Sequence, residues 1–367
     1  MTRRLLVLAL CVLTGVVSAG SGERPGPTRI AVADGVYLFT TPGYGDVGLD
    51  GNSVVIVSTQ GVLVFDSNGT PAAAAAVLAE IRKLTDQPVR YVVNSHWHWD
   101  HWYGTQIYKE AFPDLRVVAH YKTRELMMGP ALAFNQPGLE TQLPAYIQSL
   151  EKRLAAAESA VPAPADLPAL RTLVADDRFF LEQKRAVRHV FPDVTFSDRL
   201  DLHLGDRHIQ VLHVDRAVTP GDAFLYLPNE KVLITGDLLV NPISFALSCY
   251  PTGWIRTLER LDAFDARVIV PGHGTPLHDK VLLRATLEVF RELLRQGKEA
   301  KARGLDANQA TEAIFPRLSG LMNTIIGGNA ALAPAFKTQL VQWYLHRVYD
   351  ELNGTLTDAI APIPKGA

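Results

Sequence analysis

An α/β architecture is what this chain of 367 residues predicts, and three observations predict it. Short apolar runs rich in β-branched residues recur along the chain and alternate with segments of helical period. Potential metal ligands fall directly after three of those runs, in the loops where α/β proteins usually place their chemistry. Cys249 is the only cysteine outside the N-terminal leader, so no internal disulfide is available and stability has to come from a packed core, which a chain of this length can build.

Met1-Thr2-Arg3-Arg4 is a short positive region, residues 5–17 form an uncharged apolar stretch, and Val17-Ser18-Ala19 offers the small residues that a signal peptidase reads. Residues 1–19 are therefore expected to be a secretory signal peptide, too short and wrongly flanked for a membrane span. Cys11 follows Leu10, a poor lipoprotein cleavage site. The mature protein is expected in the periplasm or secreted, with no stable membrane insertion after cleavage.

After a Gly/Pro-rich spacer, residues 30–33 and 36–40 read as strands around the turn signal Asp34-Gly35. Residues 43–48 are Gly-rich and either overhang a site or form a plain surface loop. Residues 53–58 and 61–65 are two more strands, ended by the turn residues Asp66-Ser67-Asn68-Gly69. Residues 71–84 are Ala-rich with proline in the first turn, a helix. Residues 89–93 make a short buried strand, 103–112 a helix and 116–119 another strand. His120, with no matching partner nearby in sequence, reads as structural or rim-lining.

From about 121 to 192 the composition changes. Segments 143–157 and 167–189 read as amphipathic helices on either side of a Pro/Ala-rich linker, residues 161–168. This is an insertion expected to pack on one face and line a substrate rim with the other. Phe134, Phe179, Phe180 and Phe191 read as core residues. Strands return at 199–204, 207–213, 223–227, 231–235 and 267–270, and helices at 280–303, 308–318 and 332–352. The expected organisation is a catalytic body over 28–279, carrying the insertion, and a C-terminal helical extension over 280–367.

The chemistry concentrates in Asn94-Ser95-His96-Trp97-His98-Trp99-Asp100-His101. A lone loop histidine is usually an ordinary surface residue. Four ligand-type side chains in the pattern H-x-H-x-D-H at a strand end call for another reading. At i, i+2 spacing His96 and His98 converge on one point if the loop curls, and Asp100 and His101 turn toward a second point a few ångströms away. Neutral imidazole and carboxylate suit Zn²⁺, Fe or Mn. Trp97, Trp99 and Trp102 alternate with the ligands and either shape an apolar pocket or pack beneath the loop. Thr235-Gly236-Asp237 and Pro271-Gly272-His273-Gly274 again place ligand-type residues after short apolar strands.

These motifs resemble those of the metallo-β-lactamase fold superfamily, over about residues 30–276. The wider pattern Arg216-Ala217-x-Thr219-Pro220-Gly221-Asp222 is similar to that of exported bacterial hydrolases of the glyoxalase II-like group. The resemblance implies a four-layer αββα sandwich with a helical insertion and C-terminal helices. Carried over residue by residue, it places Asp100, His101 and His273 in one metal site and His96 and His98 in the other, with Asp237 bridging and Asp100 also orienting the attacking water as a catalytic residue. One position departs from the pattern. Where the family has histidine before Thr-Pro-Gly-Asp, this chain has Val218, which cannot coordinate. His213, five residues upstream at a strand end, is not expected to replace it, and Asp215 stands where the family often has glycine.

The implied function is an exported metal-dependent hydrolase, holding one or two Zn²⁺ with Fe or Mn also suited, that acts on an ester, thioester, lactone or amide-type small molecule. The alternative is a catalytically impaired metal-binding pseudoenzyme or an exported small-molecule-binding protein of the same fold. A net charge of −2 without a basic stripe argues against a nucleic-acid partner. No segment for a flavin-binding module, which oxygen reduction would need, is recognisable. The oligomeric state is not indicated.

Overall fold

The computed structural model describes residues 24–46 and 48–358, so the expected signal peptide lies outside the described residues. The first sheet runs in chain order through β1 (Thr28–Ala33), β2 (Val36–Thr40), β3 (Ser53–Ser58), β4 (Gly61–Phe65), β5 (Val89–Val93), β6 (Arg116–His120) and β7 (Val194–Phe196). β1 to β4 form an antiparallel meander, whereas β4 to β7 are parallel. The change of sense comes from crossover helices: α1 (Pro71–Leu84) joins β4 to β5, and α2 (Thr105–Ala111) joins β5 to β6. Thr70 starts α1 by accepting the Ala73 N–H on its hydroxyl at 3.2 Å, with Pro71 preset for the first turn.

The second sheet contains β8 (Arg199–Leu204), β9 (Arg207–Leu212), β10 (Phe224–Leu227), β11 (Val232–Gly236) and β12 (Val268–Pro271), antiparallel except for the parallel pair β11 and β12. Alternation along the strands builds the layers. Val54, Ile56, Leu63 and Phe65 share one buried cluster with Val211, Leu225, Ile234 and Val270 of the opposite sheet. Their neighbours Val55, Val62 and Val64 pack instead with Ala74, Val77, Leu78 and Ile81 of α1. On the outer face of the second sheet, Phe224, Leu233 and Ile269 join Trp254 of α7 (Pro251–Asp262) and Phe290 of α8 (Val281–Ala302). The four-layer αββα sandwich expected from the motifs is the observed fold.

The chain continues through α9 (Ala307–Ile314), α10 (Ser319–Ile325), α11 (Ala333–Ala335) and α12 (Trp343–Asn353). Tyr344 of α12 stacks on Phe290 at 4.4 Å, so these helices belong to the same apolar layer as α7 and α8. A π-helical turn over Phe336–Gln342 interrupts the helix predicted for 332–352.

The insertion holds α3 (Tyr121–Met127), α4 (Pro130–Pro137), α5 (Leu143–Ser159) and α6 (Leu167–Arg185). The last ends four residues short of its expected limit. α3, α4, α7 and β7 were not apparent in the sequence. Gly129-Pro130 cuts the first two into pieces too short for a helical period to emerge, and β7 spans only three residues. Phe180 is buried as expected, but Phe134 is 36% exposed and is not a core residue, because α4 turns that side outward.

The Gly-rich loop 43–48 closes on itself through Tyr44 N–H to Gly48 O at 2.8 Å and Gly48 N–H to Tyr44 O at 2.9 Å. It lies against the insertion. Tyr44 stacks on Phe180 at 5.3 Å, and the Tyr146 hydroxyl donates to Asp46 Oδ2 at 2.5 Å. Gly45, at φ +58°, lies where a Cβ would collide with the Asp177 carboxyl. Asp177 is fully buried, and burial, together with Asp46 and Asp176 beside it, pushes its carboxyl up to about 7. Arg24 does not relieve this, since it pairs with Asp176 at 2.8 Å. The folded chain therefore holds a proton that the unfolded chain releases near pH ~4, and stability should fall as pH rises from about 4 through about 7 before levelling off. Thermal midpoints measured across that range should show the decline, and Asp177→Asn should make it shallower, the remainder coming from Asp222 and Asp50, which burial raises to about 7 and about 6; an equally steep decline in the variant would refute the assignment.

Candidate metal centre

The C-terminal ends of β4, β5, β11 and β12 meet at one edge of the sandwich. β5 is held between β4 and β6, and the Asn94 N–H continues its ladder to Val118 O at 2.9 Å. Beyond Asn94 the chain is organised by Asp66, the residue that follows β4, held at φ 61°. Asp66 Oδ1 accepts the Ser95 N–H at 2.7 Å, and Oδ2 accepts the Ser95 hydroxyl at 2.7 Å and His101 Nδ1 at 2.8 Å. The Ser95 hydroxyl hydrogen is thereby committed, so its oxygen accepts from His96 Nδ1 at 2.8 Å. One carboxylate holds two imidazoles by Nδ1 and turns both Nε2 atoms to the centre. Burial lowers His101, but Asp100, Asp237 and Asp66 outweigh it and hold that ring well above its usual range, so a metal ion there would have to displace a proton.

Two donor groups result, each with its ligand atoms within 4.8 Å of one another: His96, His98 and Asp237, and Asp100, His101 and His273. Asp237 turns Oδ2 toward the first, 3.7 Å from His96 Nε2 and 4.0 Å from His98 Nδ1. Its Oδ1 faces the second, 3.3 Å from His101 Nε2 and 3.5 Å from His273 Nε2. Asp100 Oδ2 completes the second group at 3.3 Å from His101 and 3.1 Å from His273. All six residues proposed from the sequence are brought together, and Asp237 has the placement of a bridge.

His96 Nε2, His101 Nε2 and Asp237 Oδ1 are buried and have no hydrogen-bond partner. Orphaned donor atoms converging from imidazole and carboxylate fit divalent transition metal ions. Burial pushes the Asp100 and Asp237 carboxyls up, but His101 and His273 beside them outweigh it and hold both well below the usual range. Burial lowers His96 and the neighbouring His101 lowers it further, keeping the ring neutral as a ligand must be.

Close backbone approach makes room for these side chains. A Cβ on Gly51 would lie 2.6 Å from His101 Cε1, and one on Gly272 would run into the Asp237 carboxylate. Asn52 ties the two regions by donating from Nδ2 to Pro271 O at 2.8 Å and Gly274 O at 2.9 Å.

Val218 is fully buried in the apolar cluster that includes Ala217, Leu238 and Leu239, and its carbonyl accepts the Ser248 hydroxyl at 3.1 Å. His213 does not take the missing place. Its Nδ1 donates to Asp222 O at 2.9 Å, its ring stacks on His120 at 4.1 Å, and it belongs to neither donor group. His120 is buried and caps α3 through the Lys122 N–H, so its partner was simply distant in sequence. Asp215 is engaged by Arg256 of α7.

The tryptophans divide. Trp97 and Trp102 are buried and linked by Trp102 Nε1–H to Trp97 O at 2.9 Å, whereas Trp99 is half-buried. Trp97 also starts an aromatic wall. It meets Phe134 of α4 at 6.1 Å and His98 at 4.4 Å; Phe245 follows 6.2 Å from His98, and Trp343 of α12 lies 4.7 Å from Phe245. The sequence reading missed Asp66, Ser95, Phe245 and Trp343. Only Asp66 left a signal, as a carboxylate directly after an apolar strand.

A family model described as the metallo-beta-lactamase superfamily matches residues 46–273. A linear primary-alkylsulfatase of Pseudomonas sp. (strain ATCC 19151) is 25% identical over 289 residues, which cover 72% of this chain and 50% of that protein. The chain thus spans about half the length of this curated relative. Among solved structures, a metallo-beta-lactamase from Pontibacter korlensis matches at TM-score 0.51 and 19% identity, covering 72% of this chain and 99% of that one. DIM-1 metallo-beta-lactamase matches at TM-score 0.50 and 17% identity, covering 73% and 99%. These two likenesses concern the fold.

Removing the charge beneath both groups should loosen metal throughout. Asp66→Asn is expected to weaken metal retention by about 10- to 100-fold in chelator competition. Retention equal to that of the unaltered chain would contradict the role given to Asp66.

Proposed function

Because the chain belongs to the metallo-beta-lactamase superfamily and is a metal-dependent hydrolase of that fold, we propose that it is an exported enzyme using Zn²⁺ to cleave small ester-type substrates that carry an apolar group. The observation that carries this reading is Asp237, which offers one oxygen to each of two three-residue donor groups. Bound there, such ions lower the pKa of water toward neutrality and polarise the scissile group. His96, His98 and Asp237 would hold one, and Asp100, His101, His273 and Asp237 the other. Asp100 engages His101 and His273 through Oδ2, and its Oδ1 would accept a hydrogen bond from the attacking water and fix its direction. Phe245, beside His98, and Phe134, backed by the buried rings of Trp343 and Trp97, would seat the apolar part of the substrate.

Sulfate esters are the first class to test, since the alkylsulfatase relative acts on an alkyl sulfate by its name and the aromatic wall suits a chain of methylenes. Turnover of a medium-chain alkyl sulfate should exceed that of a short carboxylic ester and should stop on chelation. Undiminished turnover after complete metal removal would overturn the reading, and a preference for the carboxylic ester would move the substrate class.

Val218 is proposed to weaken the first group by one imidazole while leaving the second whole. Elemental analysis should find about one tightly held ion per chain, rising to about two in Val218→His purified identically. Two ions in both proteins would mean that the first group is not weakened.

A further inference from the structure

Helix α6 of the insertion presents Asp177, Phe180 and Lys184 along one face, at the spacing of successive turns. Asp177 lies against Gly45, and Phe180 lies between Tyr44 and Trp99, at 5.3 and 5.5 Å. Lys184 places its ammonium 3.5 Å from the centre of the Trp99 ring and 4.1 Å from that of Tyr103. That ammonium is buried, and it has no hydrogen-bond partner and no ion pair among the described residues. Nothing about packing alone requires this. A lysine on a helix surface ordinarily carries its charge out to water, and burying it unpaired is unfavourable unless something specific compensates. Two aromatic faces lie against it here, while burial outweighs the field of Asp100 and Asp50 and holds Lys184 well below the usual lysine range.

Trp99 opens the short helical turn Trp99–His101, whose other two residues are donors of the second metal group. The Trp102 and Tyr103 N–H groups both return to the Trp99 carbonyl, at 3.4 and 3.2 Å, so the turn moves as a unit with this residue. Gly69 lies against both the Trp99 ring and the Asp100 backbone, where a Cβ would come within 2.5 Å and 2.8 Å. Between that close backbone and the ammonium, the ring has little freedom to turn. α6 is itself anchored, because Gln183 accepts the Ala72 N–H of α1 at 2.9 Å.

We propose that Lys184 is a positioning residue for the second metal group, pinning Trp99 so that Asp100 and His101 keep their aim at His273 and Asp237. The inference rests on the metal-centre reading and gives the insertion a task in it: α6 braces the ligand turn from outside the sandwich. In the first group, whose histidines precede Trp99, His96 is braced through Ser95 and Asp66, and that group is expected not to depend on Lys184.

The test titrates the metal-stripped full chain with Zn²⁺, resolving stepwise affinities, alongside tryptophan emission of the same samples. Lys184→Met keeps the apolar stem and removes the amino group that lies over the two rings. It should weaken the tighter of the two affinities, that of the second group, by about 10- to 100-fold and leave the weaker unchanged, with a shifted emission maximum. Lys184→Arg, which can stack on the same rings, should restore both readouts. Trp99→Leu should produce the same selective loss, and the double variant should lose no more than either single change. Unchanged or tighter binding in Lys184→Met, equal losses at both groups, or additive losses in the double variant would overturn the proposal. If the unaltered chain takes up no Zn²⁺, the metal-centre reading falls as well; if it binds two and Lys184→Met binds them equally well, only the role of Lys184 falls.

Discussion

The Asp66 carboxylate is the constraint on which the rest of the centre depends. A buried carboxylate is costly unless its oxygens are satisfied, and Asp66 is satisfied by the backbone and hydroxyl of Ser95 and by His101. Each donor is therefore held in place by a charge that has nowhere else to go. Through Ser95 the same charge reaches His96, so ligands of both donor groups take their orientation from one side chain. Asp66 in turn owes its position to the pairing of β4 with β5, in which Phe65 lies opposite Val93. A slip of one residue there would exchange the two faces of the strand and break the core together with the centre.

Much of this was legible in the sequence. The sandwich strands at 36–40, 53–58, 61–65 and 89–93 announced themselves because each is an apolar β-branched run bounded by turn residues, and the structure places them at those limits. The six donor residues were legible for a different reason: they follow strands directly, so a local pattern fixes their position in space. Asp66 and Ser95 escaped because a supporting residue is defined by what it touches. Their partnership spans 29 residues and appears only once β4 and β5 are paired. Phe245 and Trp343 escaped for the same reason: the loop after β11 brings Phe245 to His98, and α12 lays Trp343 against Phe245. Phe134 misled, since an aromatic residue in a short helix with no visible period carries no indication of which way it faces.

The segments added to the sandwich are parts of the site's surroundings. α4 contributes Phe134 and α6 contributes Phe180 and Lys184 on one side, while α12 reaches the other side through Trp343. The sheets supply the donors and the helices supply the walls. This division explains how the donor groups keep their geometry beside an insertion of quite different composition.

The donor groups are split between the two sheets: His96, His98, Asp100 and His101 leave the first, Asp237 and His273 the second. Neither sheet alone holds a complete set. A chain that stops before Asp237, or whose sheets have not yet closed on one another, offers only fragments of each group and binds an ion weakly. Tight capture of an ion would therefore require both sheets to have docked. At an ion concentration a hundred times the dissociation constant, capture would favour the closed sandwich by about 2.7 kcal/mol per site, in addition to what the apolar layer between the sheets contributes.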